Sequence, residues 1–151
     1  MSKVATYLWF NTQAEEAAEF YTATIPNSKI TDVARTSDGS TMVVTFELDG
    51  QQFIALNGGP EFTFTSAISI YVTCDSQAEV DDLWATLTEG GEEGPCGWLT
   101  DRYGLSWQVI PKDLPSLLTD PDPEKAKRAQ LKMQTMKKID IAGVRAAADA
   151  A

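Results

Sequence analysis

Apolar and polar positions along this chain follow one order of spacings twice. Residues 4–10 are rich in aromatic and branched side chains and predict a strand, which Asn11 and Thr12 end. Ala14, Ala17, Ala18 and Tyr21 then fall at helical spacing, with Glu15, Glu16 and Glu19 mostly on the outer side. Thr12-x-x-Glu15 reads as a capping box that starts this helix, and Pro26-Asn27 stops it. Residues 28–35, 40–48 and 51–57 alternate as strands, separated by the turn signals Ser37-Asp38-Gly39 and Asp49-Gly50.

The second half repeats the pattern. Residues 67–74 predict a strand with Ile68, Ile70, Val72 and Cys74 on one face. Ser76-Gln77-Ala78-Glu79 echoes Thr12-Gln13-Ala14-Glu15 and opens a helix whose buried stripe is Val80, Leu83, Trp84 and Leu87. After Gly90-Gly91, residues 92–95, 98–102 and 105–110 form three short extended pieces. The fold class is α+β, built from paired βαβββ modules. The expected organisation is one domain over residues 1–111, with modules at about 1–58 and 67–111, followed by a helical extension over 112–151. In that extension, residues 114–118 predict a short helical turn and Asp122-Pro123 a helix start. A helix from Glu124 to about Ile139 carries Ala126, Ala129, Met133 and Met136 along one side, packing against the body or a second copy. Residues 142–151 are expected to fray.

Charge narrows the partners. A net charge of −10 argues against nucleic acid, because phosphate binding needs clustered Lys and Arg. Six basic residues between Glu124 and Lys138 form either a solvated helix face or a dock for an acidic partner. No apolar run approaches the length of a membrane span, and residues 1–8 are too polar for a secretory leader, so a cytoplasmic setting is expected. Histidine is absent, which excludes Ser-His and Cys-His nucleophile pairs and every His-ligated metal site. Of the two cysteines, Cys74 is expected to be buried. Cys96 is either a nucleophile candidate or a packed thiol. Asp101-Arg102 reads as an ion pair fixing a hairpin or as a polar handle at a pocket mouth, and Asn57-Gly58-Gly59-Pro60 as a linker between modules.

The stretches LWFNTQAEEAAEFY, FELDGQQFIALNGGPEF, CGWLTDRYGLSWQVIP and TDPDPEKAKRA, in that order, resemble the vicinal oxygen chelate superfamily (glyoxalase I, extradiol dioxygenases, bleomycin-resistance proteins). They are most similar to its PhnB-like branch, often labelled 3-demethylubiquinone 3-methyltransferase. The resemblance implies that each module curls a mixed sheet around a concave face and that the modules share a cleft. It also implies metal ligands on the first and fourth strands of each module, which match Ala5, Ala55, Ser69 and Gln108, with Thr6 the choice if the first strand slips. None of these carries a carboxylate, imidazole or thiolate, so no metal and no other cofactor is expected.

On that alignment, strand alternation sends Leu8, Phe10, Ile54 and Leu56 toward the first helix, and Tyr7, Trp9, Phe53, Ala55 and Asn57 into the cleft. In the second module Ser69, Tyr71, Thr73, Ser106, Gln108 and Ile110 line it. Aromatic surface with neutral hydrogen-bonding groups suits a flat organic ligand. The expected protein is a PhnB-like homodimer that binds a small aromatic or apolar organic molecule in a cleft lacking the usual metal site. The alternative is a superfamily enzyme of lyase, isomerase or dioxygenase type with non-standard groups. These are loop acids such as Glu61 or Asp101 as metal ligands, or Tyr7 or Tyr71 as an acid without metal. A third reading is an interaction module using only a dimer surface. The methyltransferase label finds no support in the residues, since WFNTQAEE offers no glycine-rich turn for a nucleotide-type cofactor.

Overall fold

A computed structural model describes residues 3–150. It divides into two compact units, one ending at Phe64 and one beginning at Thr65. The first contains β1 (Thr6–Phe10), α1 (Ala14–Thr24), β2 (Lys29–Arg35), β3 (Thr41–Leu48) and β4 (Gln51–Asn57). Its sheet runs β1-β4-β3-β2, with β1 parallel to β4 and the other pairs antiparallel. Small Ala14, Ala17 and Ala18 let α1 lie close to the sheet, where Tyr21 packs 6.3 Å from Phe46 and Phe46 stacks 5.4 Å from Phe53. Asp49 and Gly50 both hold positive φ, the geometry a tight hairpin between twisted strands requires.

The start of α1 differs from the capping box expected at Thr12. Gln13 takes the cap position and makes no side-chain cap bond. The Ala14 N–H instead donates to Asn57 Oδ1 at 2.8 Å, so the capping oxygen comes from the end of β4, far away in sequence. Glu15 is thereby free to turn outward. It accepts hydrogen bonds from the Thr41 hydroxyl and from Arg35, which together hold its carboxyl below the usual range.

The second unit repeats the topology with β5 (Ser69–Cys74), α2 (Gln77–Thr88), β6 (Glu92–Glu93), β7 (Trp98–Thr100) and β8 (Ser106–Pro111), in sheet order β5-β8-β7-β6. Here the capping motif works locally. The Glu79 N–H donates to Ser76 Oγ at 3.1 Å, and Glu79 Oε2 accepts from the Asp75 N–H at 3.2 Å. Asp101 settles the turn before β8: its buried carboxylate accepts from the N–H groups of Tyr103 and Leu105 and from Trp107 Nε1, at 2.8, 3.0 and 2.8 Å. It therefore fixes the hairpin through these hydrogen bonds and does not point out as a handle.

The extension forms three helices, α3 (Leu114–Leu118), α4 (Pro123–Met133) and α5 (Ile141–Asp149). Two expectations are corrected here. The fourth helix ends at Met133, six residues before Ile139, and residues 142–149 of the stretch expected to fray belong to α5; Ala151 lies outside the described residues. Val144 and Ala148 sit one turn apart and pack with Ile110, Leu114, Ala129 and Ile139, an apolar stripe hidden by the alanine-rich sequence around it. Asp140 caps α5 through the Gly143 N–H, and Arg128 closes its other end by donating to the carbonyl of Ala148 at 2.7 Å. Met133 and Met136 pack against this same cluster, so the Met-Ala stripe faces its own chain.

The contrast between Thr12 and Asn57 is testable. In urea unfolding, Asn57→Ala is expected to cost about 1–2 kcal/mol, the usual range for losing a helix cap, while Thr12→Ala changes stability by less than about 0.5 kcal/mol.

Candidate functional site

In the first unit, the ladder places Tyr7 beside Ile54 and Trp9 beside Leu56, and Leu8 beside Ala55. Leu8, Phe53 and Ala55 are buried under α1, so the face away from the helix is formed by Tyr7, Trp9, Ile54 and Leu56. The expected facing of β4 is thus reversed. Phe53 belongs to the core stack with Phe46, Ala55 lies in the same layer, and Asn57 caps α1. Alternation did not decide the matter because both faces of β4 are apolar, whereas pairing with Leu8 and Phe46 does.

Trp9 is committed within its own unit. Its Nε1 donates to the Gly59 carbonyl at 2.9 Å and its ring meets Phe62 edge-on at 4.9 Å. A Cβ on Gly58 would lie 2.5 Å from the indole, so only glycine passes there. The segment Asn57-Gly58-Gly59-Pro60 therefore lies against Trp9. Tyr7 remains 55% exposed, which makes it the open part of this face.

In the second unit, the β5–β8 ladder pairs Ser69 with Ser106, Tyr71 with Gln108 and Thr73 with Ile110, so these six share one face. Ser106 is buried and its hydroxyl lies 3.1 Å from that of Ser66. Gln108 Nε2 donates to Ser69 Oγ at 3.0 Å. Thr73 is exposed, and Tyr71 is half exposed.

This face leads into a pocket of about 360 Å³. Tyr71, Gln108 and Ile110 contribute from the sheet, and Cys96 from the loop before β7. The remaining lining comes from the extension: Leu114, Pro115, Leu118 and Thr119 in and after α3, and Met133 at the end of α4. No acidic or basic side chain lines it. Sequence reasoning missed these extension residues. The short helix at 114–118 and Met133 were legible as structure, but nothing in the sequence ties them to Gln108, which is brought near them by the fold.

Cys96 is held at the pocket wall by its backbone. It adopts a φ of 59°, and its N–H donates to the Met136 carbonyl at 2.8 Å. The Gly97 N–H donates to the Lys137 carbonyl at 2.8 Å, and a Cβ at Gly97 would lie 2.9 Å from Ile110 Cδ1. Both cysteines are free thiols. Burial, and then the negative charges of Glu79 and Asp75, push the Cys74 thiol up to about 12. Among the described residues, no three His, Cys, Asp or Glu side chains gather into a metal-binding group.

The two thiols should therefore differ sharply. At neutral pH, N-ethylmaleimide is expected to label Cys96 and spare Cys74, read by peptide mass spectrometry. The raised value favours the neutral thiol in the folded chain. Its contribution to stability is thus complete below pH 9.0 and lost as pH rises toward about 12, a slope that Cys74→Ala should remove.

The sequence model of the family described as 3-demethylubiquinone-9 3-methyltransferase matches residues 2–110, and so stops where the extension begins. A PhnB protein from Bacillus cereus is 34% identical, with the alignment covering 73% of this chain and 99% of that one at a TM-score of 0.67. Protein PA1353 from Pseudomonas aeruginosa, at 21% identity, 74% and 98% coverage and a TM-score of 0.62, shares the fold. So does the fosfomycin resistance protein FosX from Listeria monocytogenes, at 15% identity, 74% and 93% coverage and a TM-score of 0.52. No curated protein matches the chain. With the family model spanning most of the sequence and a third of all aligned positions identical to the Bacillus protein, this chain belongs to the 3-demethylubiquinone-9 3-methyltransferase family, as a PhnB-like member of the vicinal oxygen chelate superfamily.

Proposed function

We propose that this protein binds a small aromatic or apolar organic molecule against the Tyr71–Gln108 face of its second unit, without the metal that its superfamily uses elsewhere. The observation that carries this reading is the 3.0 Å hydrogen bond between Gln108 and Ser69. These are two of the positions that match metal ligands in the superfamily. Here they are neutral side chains bonded to each other, and neither supplies the anionic or imidazole donor that zinc, iron or nickel favours.

The first unit gives no better donors. Ala55 is buried under α1, and its neighbours on the opposite face are Ile54 and Leu56. The loop acids weighed as substitutes also fit poorly: Asp101 already accepts three hydrogen bonds, and Glu61 is exposed. The donor set therefore does not suit a metal. A methyl-transfer reading has equally little to rest on, since the turn from β1 to α1 is WFNTQAEE, with no glycine-rich bend for a cofactor phosphate or carboxylate.

Binding needs no titrating group, and the neutral face meets that requirement. Tyr71 offers a half-exposed ring for stacking, and Gln108 offers an amide for orientation. The expected setting is cytoplasmic and the expected assembly a homodimer. Free thiols at both cysteines suit a reducing compartment, and no helix among the described residues is long and apolar enough to cross a membrane.

Two measurements on the native protein test this. Elemental analysis is expected to find no stoichiometric transition metal. A thermal-shift screen against uncharged aromatic metabolites is expected to give hits that Tyr71→Ala weakens about tenfold, near the loss of one stacking contact of about 1–1.5 kcal/mol. A tightly held metal lost on Gln108→Ala would overturn the reading.

A further inference from the structure

The family match ends at residue 110, yet much of the pocket lining lies beyond that point. We infer that the extension has built a ligand site of its own within the second unit, one that selects an uncharged molecule with an apolar body and an amide-like polar end. This rests on the binding reading above and adds where the ligand sits, what it is and which residues select it.

Three features define the ligand. The volume, about 360 Å³, lies near the lower end of the roughly 300–1,000 Å³ found for small-molecule pockets, so the occupant is compact. Ile110, Leu114, Leu118 and Met133 form an apolar surround without a charged side chain, so an ionised ligand would lose hydration there with no opposite charge to compensate. Gln108 has one amide hydrogen committed to Ser69, which leaves its carbonyl oxygen and second N–H for a partner. A primary amide matches both, donating to the oxygen while accepting from the nitrogen.

The extension is positioned firmly enough to act as a selecting wall. The Met136 and Lys137 carbonyls accept from Cys96 and Gly97 at 2.8 Å each, and Gln77 clamps both sides of Asp140 by donating to the Ile139 carbonyl and accepting from the Ile141 N–H, at 2.9 and 3.0 Å. Lys138 adds an ion pair with Asp81 at 2.9 Å. Leu114 and Ala129 are buried in the cluster beneath, which anchors the start of α3 and the middle of α4. Leu118 and Met133, at the far ends of these two helices, are the residues that set the ligand's size.

Cys96 provides a reporter, because its thiol is part of the same wall. The full-length protein is treated with N-ethylmaleimide at neutral pH, and labelling of Cys96 is timed by mass spectrometry with benzamide, with benzoate or with neither. Benzamide should slow labelling by up to about threefold when present at roughly twice its Kd, the limit set by the share of protein it occupies, and benzoate of the same shape should not. Leu118→Trp, which fills the pocket, should abolish the benzamide effect. As a measurement independent of that variant's folding and of thiol reactivity, the methyl resonance of Met133 in the native protein should shift with benzamide while that of Met42 stays still. Unchanged labelling with an unshifted Met133 resonance would overturn the inference, as would equal protection by benzoate. A screen hit that is lost in Tyr71→Ala yet bound unchanged by Leu118→Trp would overturn it too, while leaving the broader binding reading in place.

Discussion

The structure turns on two backbone hydrogen bonds, from the Cys96 and Gly97 N–H groups to the carbonyls of Met136 and Lys137. They join the loop before β7 to the turn after α4 and so fix the described part of the extension against the second sheet. Both residues at the junction hold positive φ. Gly97 does so at no steric cost and also leaves the space that Ile110 and Ile139 occupy, which a side chain would invade. Everything distinctive about the pocket follows, because with these bonds made, Ile139, Val144 and Ala148 close over Ile110 and bring Met133 near Gln108.

The two units show how one topology is reached by different local chemistry. Thr12-Gln13-Ala14-Glu15 and Ser76-Gln77-Ala78-Glu79 are nearly the same words, each placed between a strand and a helix. Only the second works as a self-contained cap. In the first, Asn57 reaches across from β4 to hold Ala14, and Glu15 is released to Thr41 and Arg35. The first helix thus depends on the completed sheet for its start, while the second can begin alone. The repeated order of strand, helix and three strands is the firmer trace of duplication.

Most of the architecture was legible because it rests on short-range signals. Helical spacing gave α1 and α2, Asp49-Gly50 gave the hairpin, and Asp122-Pro123 gave the start of α4. What failed to show were facts that depend on distant partners. β4 carries apolar side chains on both faces, so its orientation came only from pairing with Leu8 and Phe46. The stripe of α5 is just Val144 and Ala148 among other alanines, and its burial comes from Ile110 and Ile139 elsewhere. On the candidate site, strand alternation grouped Ser69, Tyr71, Thr73, Ser106 and Gln108 on one face of the second sheet, as the ladder places them. The lining from α3 and α4 had no such signal, since no spacing rule connects Leu118 or Met133 with a strand residue.

On this reading the extension and the Tyr71–Gln108 face together hold an organic molecule, and the position of a bound one decides it. A crystal structure of the protein grown with a tight hit from the metabolite screen is predicted to show that molecule between Gln108 and Tyr71 on one side and Leu118 and Met133 on the other, with no metal ion in contact. A molecule seated instead on Tyr7 of the first unit, or held by a metal at Gln108, would contradict the account.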